Sequence, residues 1–181
     1  YKRQHSYLAR LNLSDGNEIW STMIPASKRE KESAFEFIQT TSENGIVLSG
    51  VTNAEKGSLE GFKSYGNPAT GTAFVMHFKE RQLMNEDAPL KPDWMLEIPG
   101  NISAKTIKEV VSQEAYVVAS STTNDNHEAS VIMIDKAGKT SWIKTYPSHG
   151  EVTDIAPSYF DGKVDGSLMV GHVEGTSGAL D

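Results

Sequence analysis

LARLNLSDGNEIW at residues 8–20 and VIMIDKAGKTSW at residues 131–142 share one plan. Each is an apolar run, a short polar turn containing glycine, three further residues and a tryptophan. A plan written twice in one chain points to a repeated structural unit. The clearest copy spans residues 106–146. There TIKEVV (106–111), YVVASST (116–122), ASVIMID (129–135) and TSWIKTY (140–146) are short apolar, β-branched runs separated by turn-forming stretches such as SQEA and KAGK. Runs this short, joined by turns this short, predict four strands in an antiparallel meander. No stretch holds a helical period of about 3.6 over a useful length.

The same order recurs upstream in FEFIQTT (35–41), IVLSGVT (46–52), TAFVMHF (72–78) and DWMLEI (93–98). Asn44-Gly45 supplies the positive φ angles a tight hairpin needs. This unit differs by two longer connections, at 53–72 and 79–92, which a meander places on opposite faces. Residues 7–24 hold only a third and fourth strand, and 152–173 only a first and second. From each tryptophan to the next second strand is 26 residues (Trp20 to Ile46), 22 (Trp94 to Tyr116) and 26 (Trp142 to Leu168). A four-stranded repeat of about 48 residues predicts an all-β chain, a segment of a β-propeller built from antiparallel meander blades. The expected division of residues 1–181 is the end of one blade at 5–27, a blade at 34–99, a blade at 104–147 and the start of another at 152–181.

Packing explains the recurrent residues. A blade buries both faces, so its strands are apolar on both sides. Trp20, Trp94 and Trp142 are expected at equivalent, mostly buried fourth-strand positions, filling the wedge between blades. On that reading Trp142→Ala costs roughly 3–5 kcal/mol. Gly16 and Gly138 close the turn four residues before a tryptophan, and the small residues Gly50, Ala119 and Gly171 recur in the second strand.

The patterns at residues 11–20 and 135–142 resemble the Trp-docking repeats of the quinoprotein-like β-propeller superfamily. That group includes quinone-dependent dehydrogenases, non-enzymatic scaffold propellers and surface proteins. The middle unit departs from the pattern, with Leu90 where the others have glycine. The chain has no cysteine and so lacks the vicinal pair that quinone-dependent alcohol dehydrogenases hold against their cofactor. The resemblance implies the fold and leaves the cofactor without support.

Composition narrows the partners. A net charge of −7 offers a phosphate backbone no counterion release, which argues against nucleic acid. No apolar run reaches the roughly 20 residues that span a bilayer. Without cysteine there is no disulfide, thiolate metal site or cysteine nucleophile. The sequons at Asn12 and Asn101 match what composition yields by chance.

Chemistry is sparse. His5, His77, His127, His149 and His172 fall at no ligand spacing, and His77 reads as a strand histidine. NDNHE (124–128) offers the oxygen ligands Ca²⁺ prefers at Asp125, Asn126 and Glu128, yet Asn and Asp are also what tight turns require. No cofactor is expected, with Ca²⁺ as the metal alternative. The 54–71 insertion carries Phe62, Lys63 and Tyr65 among glycines, a candidate binding loop for a protein partner or a glycan. The leading expectation is a non-enzymatic scaffold or protein-interaction segment of a larger surface or secreted protein. The alternatives are a fragment of a quinoprotein-type propeller enzyme whose active site lies elsewhere, or a carbohydrate-binding propeller. Paired terminal strands would close only three blades, so the segment is expected to be completed by further blades or a partner, and not to be a stable monomer.

Overall fold

The computed structural model describes residues 6–24, 33–52, 72–84, 91–98, 100–122, 128–146 and 150–172. The described residues are all-β, 72% strand and 6% helix. It begins with β1 (Ser6–Leu11) and β2 (Glu18–Ile24), an antiparallel pair. β3 (Ser33–Thr40), β4 (Gly45–Thr52) and β5 (Thr72–Lys79) follow, then a single helical turn α1 (Glu80–Leu83) and β6 (Trp94–Ile98). β7 (Asn101–Val110), β8 (Ala115–Thr122), β9 (Ala129–Asp135) and β10 (Thr140–Tyr146) repeat that arrangement. β11 (Glu151–Phe160) and β12 (Lys163–His172) form the last pair.

Hydrogen bonding follows chain order. The second sheet runs β3-β4-β5-β6 and the third β7-β8-β9-β10, two antiparallel meanders flanked by the two-stranded first and fourth sheets. Local chemistry sets the corners. Asn44 takes φ 56° in the turn before β4, and Asp161 (φ 50°) and Gly162 (φ 71°) make the two-residue turn into β12. In the β9–β10 turn, Asp135 Oδ1 accepts the N–H groups of Ala137 (3.0 Å) and Lys139 (2.8 Å).

Two expectations shift. β7 starts at Asn101 instead of Thr106, with bulges that let the longer strand follow β8. The 79–92 connection contains α1, whose start is fixed by Lys79 N–H donating to Gln82 Oε1 at 2.8 Å. Gly45 pairs with Lys79 and Thr52 with Thr72, so the β4–β5 and β5–β6 connections leave from opposite ends of the second sheet. Ala115 pairs with Asp135 in the same way. Counted from those paired ends, Gly50 falls level with Ser120 and not with Ala119. At Gly171 the close approach is real, since a Cβ there would stand 2.2 Å from the Glu151 carbonyl oxygen.

The core is three seams between consecutive sheets. Ile46, Leu48, Phe74, Met76 and Phe78 pack with Leu8 and Trp20 of the first sheet. The alternating residues Val47, Ala73 and Val75 face the other way, against Ile107, Tyr116, Val118, Ile132 and Ile134 of the third. Val117, Ala119 and Val131 then meet Val152 and Ile155 of the fourth. Period-2 alternation thus sends successive side chains of one strand into two different seams. The central strands β4, β5, β8 and β9 are buried on both faces, as their apolar runs predict, whereas β10 at the edge of the third sheet is largely exposed. Among the described residues no helix is long and apolar enough to cross a membrane.

Trp142 departs from expectation. Trp20 and Trp94 are partly buried against the next sheet, whereas Trp142 is 44% exposed. The reason is geometric. Trp20 and Trp94 lie against the connection between the third and fourth strands of the following sheet. The described part of the fourth sheet holds only β11 and β12, so it has no such connection for Trp142. Alanine at 142 therefore removes far less packing than alanine at 94.

Candidate functional site

Among the described residues, the polar end of the seam between the second and third sheets brings together a group of interacting side chains from both sheets. Trp94 opens β6 and is its centre. Its ring stacks on His77 of β5, with centroids 5.6 Å apart and planes 12° from parallel. It tilts against Tyr116 of β8 at 5.9 Å. Its indole N–H donates to the Lys136 carbonyl oxygen at 2.9 Å. A Cβ on Gly138 would stand 2.5 Å from the ring, so the β9–β10 turn admits the indole only because residue 138 has no side chain.

Charge closes over this contact. The Lys136 ammonium lies 4.7 Å above the Tyr116 ring and pairs with Glu109 of β7. Glu109 also accepts the backbone N–H of Ser42 at 2.7 Å and its hydroxyl at 2.6 Å, tying the β3–β4 turn to the third sheet. Burial alone would raise the Glu109 carboxyl, but Lys136 and both Ser42 donors outweigh it and hold it below its ordinary value. Burial would lower the Lys136 ammonium, and Glu109 with Tyr116 holds it above its own. Burial pushes the Tyr116 hydroxyl up.

His77 is 7% exposed. Its Nδ1 donates to Asp93 Oδ2 at 3.2 Å, and Asp93 Oδ1 accepts from the Gln82 amide at 3.2 Å. The other ring nitrogen is buried against the β3–β4 turn, where a Cβ on Gly45 would stand 2.4 Å from it. Burial lowers the imidazole pKa despite the pull of Asp93. The unfolded imidazole titrates near its ordinary value of 6.5, while the folded one takes its proton only at lower pH. Between those values the unfolded state binds more protons, so this contribution to stability is full above 6.5 and is lost as pH falls through the folded value. Thermal unfolding followed from neutrality downward is expected to show that fall, and His77→Gln to flatten it. A variant with the parent's pH slope contradicts the assignment.

The neighbouring seams are simpler. Between the first and second sheets, Glu80 at the start of α1 pairs with Arg10 of β1 and accepts the Trp20 indole N–H at 3.5 Å. Beside them is a cavity of about 340 Å³, lined by Leu8, Arg10, Trp20, Thr41, Asn44 and Glu80 among others. Between the third and fourth sheets, Asp154 accepts from the Thr106 hydroxyl at 2.9 Å and lies 3.7 Å from the Lys108 ammonium.

The residues singled out from sequence divide sharply. Phe62, Lys63 and Tyr65 lie outside the described residues, as do Asp125 and Asn126. Glu128 is described just before β9, where its carbonyl oxygen accepts the Thr122 N–H at 3.0 Å. Among the described residues no group of three His, Asp or Glu is placed to hold a metal. Trp94 and Gly138 do meet, but Trp94 touches the glycine of the following unit and not one in its own turn. Glu109, Lys136, Ser42 and Asp93 escaped the sequence reading. The one local signal was Asp93 immediately before Trp94.

No protein-family model matches this chain, and no curated protein matches it.

Proposed function

We propose that the chain is part of a β-propeller that works as a non-enzymatic interaction scaffold, its four-stranded sheets being blades. One observation carries the reading. The central strands of the inner sheets bury both faces against the sheets before and after them in the chain, through three successive apolar seams. Stacking in chain order on both faces is what a radial array of blades requires. A tryptophan reaching from one sheet to the next sheet's connection, at 20 and again at 94, supports the same reading.

The polar chemistry supports a scaffold over an enzyme. His77 and Asp93 have the makings of a base and its orienting carboxylate, but the second imidazole nitrogen is turned to Gly45 and not to a cleft. Glu109 and Lys136 neutralise each other within the third sheet, while Glu109 holds Ser42 of the second sheet across the seam. These groups clamp sheets together. A surface or secreted assembly, using the ends of the blades to meet a protein partner, fits an acidic chain with this architecture.

Titration of the purified chain with pyrroloquinoline quinone and Ca²⁺, read by tryptophan fluorescence and by dye-coupled alcohol oxidation, separates the readings. The scaffold predicts no saturable quenching and no turnover. Saturable binding with turnover overturns it in favour of a quinone enzyme.

A second reading has one feature in its favour. The cavity of about 340 Å³ sets an indole beside a cation, a carboxylate and an amide, the groups that grip a sugar ring. Calorimetric titration with a panel of oligosaccharides, repeated on Arg10→Ala, tests it.

A further inference from the structure

We propose that the cavity between the first and second sheets receives the phenol ring of a tyrosine presented by a protein partner, in the place that the chain's own Tyr116 fills at the next joint. The source of the ring rests on the scaffold reading above, which this deepens; the fit of the ring rests on the two joints between the first three sheets.

Those joints are built from equivalent positions. Trp20 pairs with Arg10 across the first sheet as Trp94 pairs with His77 across the second. Each indole then reaches the first residue after the next sheet's third strand. Trp20 donates to the Glu80 carboxylate at 3.5 Å, and Trp94 to the Lys136 carbonyl at 2.9 Å. Counted from the paired ends Gly45–Lys79 and Ala115–Asp135, Ile46 stands where the third sheet has Tyr116. Both side chains pack toward the preceding sheet.

What differs is the filling. At the second joint the Tyr116 ring leans on the indole at 5.9 Å, with the Lys136 ammonium 4.7 Å from the ring centre. At the first joint the aliphatic Ile46 replaces that ring, and a cavity of about 340 Å³ is lined by Ile46 and Trp20 together with Leu8, Arg10, Asn44 and Glu80. Ligand sites run from roughly 300 to 1,000 Å³, so this one suits a single ring and little more. The Arg10 and Glu80 side chains are 54% and 25% exposed, which gives the cavity a mouth that a partner's side chain can enter. Its walls carry the chemistry a phenol needs. Trp20, Leu8 and Ile46 supply apolar surface for the ring. The Arg10 guanidinium takes the part of Lys136 as the cation against the ring's face. Arg10 and Trp20 both bond Glu80 through Oε1, so Oε2 can accept from the phenol hydroxyl. A sugar would carry hydroxyls on every side, and the Leu8 and Ile46 walls offer them no partner.

The test is titration of the isotope-labelled chain with para-cresol and with N-acetyltyrosinamide, followed by nuclear magnetic resonance of the indole N–H signals. The Trp20 signal, assigned with Trp20→Phe, is expected to move and saturate while that of Trp94 stays. Half-saturation by para-cresol is expected at about 1 mM, within the bound for so small a ligand. Toluene, which lacks the hydroxyl, should bind roughly tenfold more weakly, and Glu80→Gln should shrink that preference. Ile46→Tyr should rebuild the filling of the second joint and abolish binding, with circular dichroism like the parent's. If that variant fails to fold, the comparison of para-cresol with toluene on Glu80→Gln still decides. A Trp20 signal that ignores both phenols overturns the proposal, as does one that responds to methyl glucoside instead. Binding of para-cresol without N-acetyltyrosinamide also overturns it, because the cavity then admits a free ring and not a side chain on a peptide. Each of these results leaves the scaffold reading standing, since that reading falls to quinone turnover, so the two failures are distinguishable.

Discussion

Trp94→Ala is expected to lower the stability of the fold by roughly 3–5 kcal/mol, the range for truncating a large aromatic in a packed interior. The ring spans a boundary between two sheets. It stacks on His77, leans on Tyr116 and packs against the apolar cluster shared by the second and third sheets. Alanine removes those contacts and leaves the Lys136 carbonyl without its indole donor. Because the residue belongs to neither sheet alone, its loss should loosen the joint and not merely one strand. Urea denaturation of the variant checks this, and a loss below about 1 kcal/mol contradicts the docking described here.

Gly138→Ala should be nearly as damaging, although it adds one carbon instead of removing a whole indole ring. Residue 138 has φ +82°, a region that costs an L-amino acid about 1–2 kcal/mol. The new Cβ would also lie 2.5 Å from the Trp94 ring, an overpacking penalty of about 1–3 kcal/mol. Gly162→Ala is the matched control. It has φ +71° and nothing within 4 Å of its Cβ, so it carries the backbone term alone. Equal losses at 138 and 162 would mean that the indole is not seated on the turn.

Much of the fold was legible because its signals are local. Asp161-Gly162 fixes one hairpin by the backbone preference of both residues. At Asn44-Gly45 only Asn44 takes the expected positive φ, Gly45 already being the first residue of β4. Asp135 fixes a third turn through its side chain. The apolar character of both faces in IVLSGVT and YVVASST anticipated that neither face meets water. Strand β9 and strand β10 fall on the residues the pattern marked. The start of β7 was not legible, because bulges let polar residues such as Asn101 and Lys105 join a strand without periodic alternation.

The seam was less legible still. Ser42 and Glu109 are 67 residues apart, and Glu109 and Lys136 are 27 apart. No spacing rule connects them; Ser42 meets Glu109 only through the stacking of one sheet on the next, and Lys136 meets Glu109 only because the β9–β10 turn reaches over β8 to β7. The repeat also concealed which glycine each tryptophan meets. In sequence Gly138 belongs with Trp142, and in space it receives Trp94. That offset by one unit explains why Trp142, with the better local motif, is the exposed member of the series.

A double-mutant cycle between Trp94 and Gly138 tests the central claim, that each sheet is keyed to the next by a tryptophan seated on the following sheet's turn. The stability of the parent, both single variants and the Trp94→Ala/Gly138→Ala double variant is measured by urea denaturation under one set of conditions. With the indole gone, the added methyl has nothing to strike, so Gly138→Ala should retain only its backbone cost. A non-additive coupling of about 1–3 kcal/mol is the predicted result. Additive losses, within about 0.5 kcal/mol, would show that the two residues act independently and would contradict the stacking of the second and third sheets described here.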